Sequence, residues 1–588
     1  MTEQETPGRA MPLSLVLLAV GIVCFCFFIF AERPQIIEGD IGYPAFSALQ
    51  YVRGEVGAFD AVHLADSRDL SKDVDSNIIA FPPAWTLLFL LAFKAGLSPG
   101  PAARVIELIL SLGGALGWVW ITYLLGLRKY WRAGAVILAS FYCLRGSIVT
   151  VSDIGDPIVY CVAPWLIGAA LVLSRRFGNL DRRSVGLVAI LCGALGSLYW
   201  LKYSAVFFGM AVLSALLLEL YRQTYRPRPS SAIAIGVLCA AAFALPILAQ
   251  KAWNYARTGT DLIEETKSTA PQPATSKPSG LIRGLVEETI YESGALLFGV
   301  EKGLTRVTRD HPPLLSGSRM AYQPIHWLLR LPGLLGLALF FYLVSKYPQP
   351  FVRNLSILLI AFPALGFLAL SITSGSRFVS ALVRASETSC IFVELLVLAL
   401  LSQRTPVLRK TRLALAIVTA IQLVFFSYLP YEAISRAWTA AHMPRYETSA
   451  ASIYVTDFSR TGSRAVTTQI AALLRGPGDV IVPATPHRGL DTWLELDGHR
   501  LLPLTSFWMP LAREHGRWGA NYNGDGPLTT SRPLRVVLVA CNPYNDPELR
   551  DSVPRLKSRF PQAKEWTRQP APSDSRVELW TADLVPGP

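Results

Sequence analysis

The sequence predicts a mostly α-helical protein, in which a bundle of about eleven transmembrane helices precedes a small C-terminal α/β domain. Hydrophobic residues make up 52% of the 588 residues and charged residues only 16%, whereas soluble proteins carry about 25% charged residues. Apolar runs of about 20 residues, the length that crosses a bilayer, recur as far as residue 430. Beyond residue 431 the composition becomes that of a soluble domain.

The predicted spans are the apolar stretches that are long enough to cross the membrane. The first is too long for the apolar core of a signal peptide and has no small-residue cleavage site after it, so we interpret it as a retained anchor. The spans cover residues 11–31, 103–126, 133–150, 156–174, 184–200, 203–220, 232–250, 326–345, 354–373, 386–402 and 413–430.

The basic residues between the spans predict the orientation. Five loops rich in Arg and Lys all fall on one side of the membrane under this count, and cytoplasmic loops carry such an excess. The N-terminus is therefore predicted to be cytoplasmic, and residues 431–588 to form a domain on the outer side. The net charge of +13 follows from this pattern, and no nucleic-acid partner is predicted. The loops contain Arg128, Lys129 and Arg132; Arg175, Arg176, Arg182 and Arg183; Arg222, Arg226 and Arg228; Lys346 and Arg353; and Arg404, Arg409, Lys410 and Arg412.

Two long outer loops interrupt the regular alternation. Loop 32–102 contains two stretches that are too short or too polar to span, Gly42–Arg53 and Ala84–Lys94, and each is predicted to form a helix in the membrane interface. Within the same loop, Asp73–Asn77 resembles half of a calcium loop but lacks the required Gly and Glu, so a solvated acidic loop is expected. Loop 251–325 is rich in Pro, Ser, Thr and charge, and part of it is expected to be mobile.

The region after residue 431 alternates short apolar runs with helical patterns. Val480–Val482 and Val536–Val539 are typical of buried strands. Residues 464–474 and 547–560 are typical of helices, the second with Pro554 inside it. These elements predict a small α/β domain.

Acidic residues lie next to the predicted outer ends of spans: Glu38 and Asp40 after the first span, and Asp153 and Asp156 after the third. A partly buried carboxylate can take a proton from an acceptor hydroxyl, because burial raises its pKa toward neutral pH. The alternative is that an Asp at the end of a span caps a helix or contacts water. The spacing leaves both interpretations open.

Three basic residues stand out against the apolar background. Lys202 interrupts an apolar run, and a Lys at the bilayer centre would cost about 2.5–3.5 kcal/mol, so it either marks a turn or serves a site. Arg377 and Arg384 fall on the predicted outer side and are candidates to bind an anionic phosphate. The alternative is that they snorkel to the membrane surface. The sequence has no His pair with the spacing of metal ligands, and we predict no metal-ligating residues.

Taken in order, these features resemble the GT-C superfamily of integral membrane glycosyltransferases. This family includes protein O-mannosyltransferases, the lipid A aminoarabinose transferase and the rhizobial galacturonic acid transferases. The resemblance covers roughly residues 11–400. It rests on the acid-to-aromatic spacing of Asp40 and Tyr43, on Phe81-Pro82-Pro83, on Asp153 and Asp156, on Lys202, on Pro246 followed by Trp253-Asn254-Tyr255, and on Arg377-Phe378.

The resemblance implies an enzyme of the bacterial inner membrane that takes a sugar from a polyprenyl-phosphate donor at the periplasmic face. The acceptor would be a lipid, a polysaccharide or a protein, and the anomeric centre would be inverted. Asp40 would be the base, Asp153 or Asp156 would assist in acceptor or ion binding, and the phosphate would be held by Lys202 and Arg377. Glu38, Tyr43 and Arg384 complete the predicted substrate-binding set.

The sequence departs from the family pattern at two places. Ile41 stands where many members have a second acid, and Ala80-Phe81 stands where some have a Glu-Lys pair. These departures leave the phosphate contacts and a divalent cation open, and no other cofactor is implied.

Two other functions share this architecture. One is a non-enzymatic transporter or assembly factor for lipid or polysaccharide, and the other is an oligosaccharide polymerase or ligase. Transporters are often built from two matching halves, which the sequence lacks, and the candidate charges lie at the predicted outer rim. Both observations favour chemistry at the membrane surface.

Overall fold

The computed structural model describes two groups of residues. In the membrane part these are 13–29, 42–77, 82–127, most of 131–140, 156–179, 181–225, 229–258, 347–374 and single positions between 338 and 402. In the C-terminal part they are 446–447, 452–453, 463–483, 499–502, 527–541, most of 553–570 and 577–586. The predicted site residues Glu38, Asp40, Asp153, Arg377 and Arg384 lie outside them, as do most of loop 251–325 and the span predicted at 413–430.

The described membrane part is helical, because long apolar runs satisfy their backbone hydrogen bonds internally. Within the described residues, four helices are long and apolar enough to cross a membrane, at Pro101–Leu124, Arg182–Leu201, Ala205–Gln223 and Pro229–Arg257. The chain is thus an integral membrane protein, while a total of about eleven spans stays a prediction. The helices are α1 (Leu13–Ile29), α2 (Gly42–Arg53), α3 (Ala84–Lys94), α4 (Pro99–Leu124), α5 (Asp156–Ser174), α6 (Arg182–Leu201), α7 (Ala205–Leu220), α8 (Pro229–Thr258) and α9 (Pro350–Ser374).

Helices α6 and α8 pack closely and run in the same direction. Their contacts advance together, from Gly193 beside the carbonyl of Ala242, to Gly196 against that of Phe243, to Trp200, whose indole N–H donates to the Pro246 carbonyl (2.8 Å). A Cβ atom at position 196 would overlap the Phe243 carbonyl oxygen. Glycine therefore permits the close approach of the two backbones.

The contacts at the helix ends sort the loops into two groups. The side chains of Arg175 and Gln223 donate to the carbonyls of Leu124 (3.4 Å) and Ser174 (3.3 Å), so the ends of α4, α5 and α7 meet. We call this the inner end, since its loops are the ones predicted to be cytoplasmic. The opposite, outer end has the starts of α4 and α5, the turn from α6 to α7 and the end of α8.

A β-hairpin connects α2 to α3 at the outer end. It consists of β1 (Ala61–Asp66) and β2 (Asp69–Asn77), paired antiparallel with Ala61 opposite Asn77 and an irregularity at Ala65/Asp66. The expectation of a solvated acidic loop at residues 73–77 is therefore wrong. Val74 and Asn77 are buried in β2, and the acidic side chains of Asp73 and Asp75 have partners that the local sequence does not reveal.

The described C-terminal residues contain a four-stranded sheet in the order β5 (Val480–Pro483), β6 (Leu534–Cys541), β8 (Val577–Leu584) and β7 (Thr567–Gln569). The strands predicted near 480 and 536 are present and pair in parallel, whereas β8 pairs antiparallel with both β6 and β7. Residues 547–552 of the second predicted helix lie outside the described ranges. The elements are β3 (Tyr446–Glu447), β4 (Ser452–Ile453), α10 (Ser463–Leu473), β5 (Val480–Pro483), β6 (Leu534–Cys541), β7 (Thr567–Gln569) and β8 (Val577–Leu584).

Candidate functional site

The base of the β-hairpin meets the end of α8, and a buried acidic residue lies at this junction. Asp60 directly precedes β1, is 1% exposed and has a φ of 64°. It is the one described residue other than glycine with a positive φ. Asp tolerates this left-handed conformation better than most residues, and such backbone strain is concentrated at functional sites. Asp60 is therefore the first candidate that the structure adds.

The two carboxyl oxygens of Asp60 have different surroundings. Oδ1 accepts a hydrogen bond from the Thr86 hydroxyl (2.5 Å), which α3 supplies. Oδ2 is buried without a hydrogen-bond partner among the described residues and lies 3.8 Å from Nη1 of Arg257. A buried oxygen left without a partner is costly, so it marks a place where a ligand group or a proton is expected.

Burial raises the pKa of Asp60 to about 7, although the Arg257 guanidinium and the Thr86 hydroxyl both act to lower it. Burial outweighs the ion pair because the charged oxygen and nitrogen atoms are separated by more than a hydrogen-bond distance. A carboxyl with this pKa is protonated in roughly half of the molecules at neutral pH, which suits it to accept or donate a proton.

Arg257 closes the base of the hairpin from α8. Its Nε and Nη2 both donate to Oδ1 of Asn77 (3.0 and 2.6 Å), the last residue of β2, and Nη2 also donates to the Asp60 carbonyl (2.9 Å). The guanidinium lies over the Trp253 ring at 4.1 Å from its centroid. Arg257 is thus fixed by both ends of the hairpin and by the preceding turn of its own helix.

Aromatic rings form a wall beside this arginine. The Trp253 ring stacks on Trp200 from α6, with centroids 5.9 Å apart, and Phe59 approaches it at 6.4 Å. Trp and Tyr are enriched where a membrane protein meets the water interface. The wall therefore fits the outer end of a membrane bundle, where an apolar lipid and a polar group meet.

Two further polar residues of α8, Gln250 and Asn254, lie about two turns and one turn before Arg257, toward the bundle interior. Gln250 and Asn254 are 1% and 3% exposed. The Gln250 amide donates to the hydroxyl of Tyr203 (3.1 Å), which lies in the turn between α6 and α7. The turn from α6 to α7 and the end of α8 therefore contribute polar groups to one region.

The structure describes three of the predicted site residues in part. Lys202 follows the last residue of α6, its amide donates to the Leu198 carbonyl (2.9 Å), and its side chain is half-buried. Lys202 thus marks a turn, one of the two predicted alternatives. Tyr43 lies in α2 and Asp156 begins α5, and their roles stay predictions, like those of Lys202 and of the residues outside the described ranges.

Asp60, Asn77 and Arg257 are not among the site residues that the sequence predicts. A signal existed for Arg257, since it lies on the predicted outer side, one turn after Trp253 in the Trp-Asn-Tyr landmark. No comparable signal singles out Asp60 or Asn77, because their significance comes from the hairpin.

Among the described residues, no group of three or more His, Cys, Asp or Glu is arranged to hold a metal ion. His63 does lie between two carboxylates, with Nδ1 2.9 Å from Asp75 and Nε2 3.5 Å from Asp73. Hydrogen bonds with Asp73 and Asp75 raise the pKa of His63 to about 9 despite burial. The imidazolium itself is thus the cation between these acids.

Comparisons with known proteins give similarities at the level of structure. No family model and no curated protein matches the chain. ArnT from Cupriavidus metallidurans, solved with undecaprenyl phosphate bound, is similar over 98% of this chain and 100% of its own length, with 15% identity and a TM-score of 0.40.

The arabinofuranosyltransferase AftD from mycobacteria is similar over 99% of this chain, with 13% identity and a TM-score of 0.41. A mutant form of AftD gives 14% identity and a TM-score of 0.46. The chain spans 40% and 42% of these two AftD structures. At such identities and TM-scores a function has to be argued from the residues of the chain itself.

Proposed function

We propose that this protein transfers a sugar from a polyprenyl-phosphate donor to an acceptor at the periplasmic face of the bacterial inner membrane. One observation carries the proposal. A buried carboxyl whose pKa is raised to about 7 and an arginine lie together at the end of the membrane bundle that the loop charges assign to the periplasm. Proton transfer and binding of an anion are the two tasks that this reaction demands there.

The substrates explain why the chemistry belongs at the ends of the helices. A polyprenyl-phosphate sugar keeps its chain in the bilayer and its phosphate at the surface, while a polar acceptor arrives from water. The leaving phosphate needs preorganised cations, and the acceptor hydroxyl needs a base. Each has to act where water is partly excluded, because the interactions then strengthen.

In the proposed reaction, a carboxylate takes the proton of the acceptor hydroxyl while the hydroxyl oxygen bonds to the anomeric carbon. Asp40 is the proposed base, and Asp60 is the second candidate for this role. The bond from that carbon to the phosphate oxygen breaks, the configuration inverts, and polyprenyl phosphate leaves. Asp153 or Asp156 assists in binding the acceptor or a divalent cation. Lys202 and Arg377 hold the phosphate, with Glu38, Tyr43 and Arg384 around the substrates.

Arg257 adds one further anion-binding group to this proposal. Its Nη1 has no hydrogen-bond partner among the described residues, while its other nitrogens are held by Asn77 and Asp60. A fixed guanidinium with one remaining N–H group is suited to an anionic oxygen. The residue is also close to the membrane surface, where the donor phosphate would lie.

Binding of the donor lipid is the first test. The purified protein in detergent is titrated with undecaprenyl phosphate and, separately, with undecaprenol, and the bound lipid is measured by native mass spectrometry. We expect the phosphate to bind at least about tenfold more tightly, since charge-assisted hydrogen bonds are strong. Equal binding of the two lipids would overturn the assignment of the donor.

Asp40→Asn tests the chemistry, because it keeps the shape of the side chain and removes its basicity. Sugar transfer is followed in membranes as a mass increase of lipid, polysaccharide or protein, which also identifies the acceptor. We expect transfer to fall by at least about 10²-fold, since a general base contributes about 10²–10⁴-fold. Thermal stability should be unchanged, and unchanged transfer would remove Asp40 from the mechanism.

A further inference from the structure

The β1–β2 hairpin at the outer end is joined to the C-terminal part of the chain by backbone hydrogen bonds. The amide of Ala65 donates to the Leu501 carbonyl (2.9 Å), and that of Leu70 donates to the Thr529 carbonyl (2.8 Å). These contacts flank the turn between the two strands. The tip of the hairpin is therefore built against residues more than 400 positions away.

Arg500 is the central side chain of this contact. Its Nε and Nη2 donate to the Asp73 carboxylate (2.8 and 2.5 Å), and Nη2 also donates to the carbonyls of Leu70 (3.1 Å) and Lys72 (3.0 Å). Its Nη1 donates to the Gly478 carbonyl (2.6 Å), next to the start of β5. The Arg500 side chain is only 16% exposed. One guanidinium thus ties the hairpin to the C-terminal sheet.

A second contact holds the tip from the other side. Asp69 accepts hydrogen bonds from the amide and the hydroxyl of Ser531 (2.9 and 2.7 Å). Burial alone would raise the pKa of Asp69, but hydrogen bonds from Ser71 and Ser531 outweigh it and lower the pKa. The carboxylate is therefore charged at neutral pH, and the contact is a charge-assisted one.

The opposite end of the same hairpin is the candidate site. Asp60 directly precedes β1 and Asn77 ends β2, and both accept hydrogen bonds from Arg257. Between tip and base, His63 connects the two strands through Asp73 and Asp75, and its amide donates to the Gln50 side chain of α2 (2.8 Å). Asp73 is shared between His63 and Arg500. Polar contacts therefore run from the C-terminal part to the middle of the hairpin, and the paired strands β1 and β2 continue from there to the site.

We propose that Arg500 is a positioning residue for this site: it fixes the hairpin, and the hairpin fixes Asp60 and Asn77 around Arg257. A two-stranded hairpin is at best marginally stable on its own, so its geometry has to be imposed by what it packs against. The C-terminal part of the chain supplies that support and is a component of the site. The effect on sugar transfer rests on the proposed function, whereas the effect on the hairpin does not.

Hydrogen exchange of the purified full-length protein tests whether Arg500 fixes the hairpin. Arg500→Ala is compared with the wild type and with Arg568→Ala, a control on β7 whose exposed side chain pairs with Glu578. We expect exchange at the base of the hairpin, residues 59–62 and 76–77, to become about tenfold faster or more in Arg500→Ala, because it loses several hydrogen bonds that involve a charged group. Arg568→Ala should match the wild type.

The residues at which exchange accelerates show whether Arg500 positions the base of the hairpin or only holds its tip. If exchange accelerates only at the tip, residues 66–72, and the base stays protected, the inference is overturned. Arg500→Lys serves as a milder variant should the alanine protein not fold. It keeps the charge but not the planar fork, and we expect an intermediate acceleration at the base.

Sugar transfer then tests the link to activity. In Arg500→Ala we expect at least about tenfold lower transfer at saturating donor, with Arg568→Ala at the wild-type level. Transfer by Arg500→Ala at the wild-type rate would overturn the positioning role. If the wild type itself transfers no sugar while exchange at the base responds as expected, the proposed function fails and the structural coupling stands.

Discussion

The two ends of the bundle use charged residues in opposite ways. At the inner end, partners are close in sequence or exposed: Arg222 pairs with Glu219 one turn away, and Arg175 is an exposed side chain that reaches the Leu124 carbonyl. At the outer end, Arg257 contacts Asn77 from 180 positions away, and Arg500 contacts Asp73 from 427 positions away. Both of these arginines are largely buried.

This difference shows that buried arginines join distant parts of the chain at the outer end. Basic residues at the inner end satisfy the orientation rule for membrane proteins and need no special geometry. A buried ion pair at the outer end requires desolvation of both partners and is weak evidence for a stabilising role. A strained, buried carboxyl within such a pair, as Asp60 is with Arg257, is better explained by function.

The largest effect should come from Arg257→Ala. Removing the arginine leaves the Asp60 carbonyl and the Asn77 side chain without their buried donor, and breaking a buried ion pair costs about 3–5 kcal/mol. The thermal unfolding midpoint in detergent should drop strongly.

Arg175→Ala is the matched change at the inner end, where the arginine is exposed, and it should lie within about 0.5 kcal/mol of the wild type. Equal effects of the two substitutions would show that the two ends do not differ in their dependence on these arginines.

Asp60→Asn should change the pH dependence of stability. The folded-state pKa of Asp60 is raised to about 7 from an ordinary 3.8. Its contribution to stability is therefore complete below pH about 4 and is lost as the pH rises through 7. The loss is on the order of a few kcal/mol, since one pKa unit corresponds to about 1.4 kcal/mol.

The measurement is the unfolding midpoint at pH 5 and pH 8. The wild type should lose more stability over this interval than Asp60→Asn, which cannot titrate. Parallel changes in the two proteins would show that Asp60 titrates as it does in water.

Gly196→Ala and Gly186→Ala compare the outer and inner halves of one helix. A methyl group at 196 would overlap the Phe243 carbonyl oxygen, while nothing lies within 4 Å of the corresponding position at 186. We expect Gly196→Ala to lower the unfolding free energy by about 1–3 kcal/mol, because α6 and α8 must separate. Gly186→Ala should be neutral or stabilising by up to about 1 kcal/mol, because Ala favours a helix.

Thermal midpoints of the two glycine variants, measured in the same detergent, give the comparison. If Gly196→Ala is as stable as Gly186→Ala, the two helices do not pack as closely as described.

The smallest effect should be the titration of His63. Its pKa is raised to about 9 by hydrogen bonds with Asp73 and Asp75, so its contribution is complete below pH about 6.5 and is lost as the pH rises through 9. His63 is more than one-third exposed, and screening keeps the expected loss below about 1 kcal/mol. Midpoints at pH 7 and pH 9.5 should differ more in the wild type than in His63→Gln, and the reverse order would contradict this assignment.

Much of the helical part of the fold could be predicted from the sequence, because apolar runs of bilayer length have few other structures available. The predicted span 184–200 lies within α6 (Arg182–Leu201), and the predicted span 203–220 nearly matches α7 (Ala205–Leu220). Short strands near 480 and 536 were also predictable, since Val-rich runs favour buried strands. Helix and strand signals of this kind are local.

The hairpin and the site could not be predicted, because their stabilising contacts are not local. Asp73 looks like a solvated acid in the sequence, and its partners Arg500 and His63 are brought to it only by the fold. The same holds for Asp60, whose raised pKa results from burial under the hairpin. The acidic residues predicted from the sequence are those nearest the ends of the spans. Nearness to a span end predicts a position at the membrane surface, but it does not predict whether the side chain is buried.

The long separation between Asp73 and Arg500 also has a consequence for biosynthesis. The hairpin leaves the ribosome 427 residues before its partner arginine, and chains grow at about 5–20 residues per second. The hairpin therefore waits roughly 20–90 s for the contact that fixes its tip. During this interval the bundle is being inserted while its outer site is incomplete. A nascent chain that is truncated before residue 500 lacks Arg500, so we expect its hairpin to lack the contact that fixes the tip.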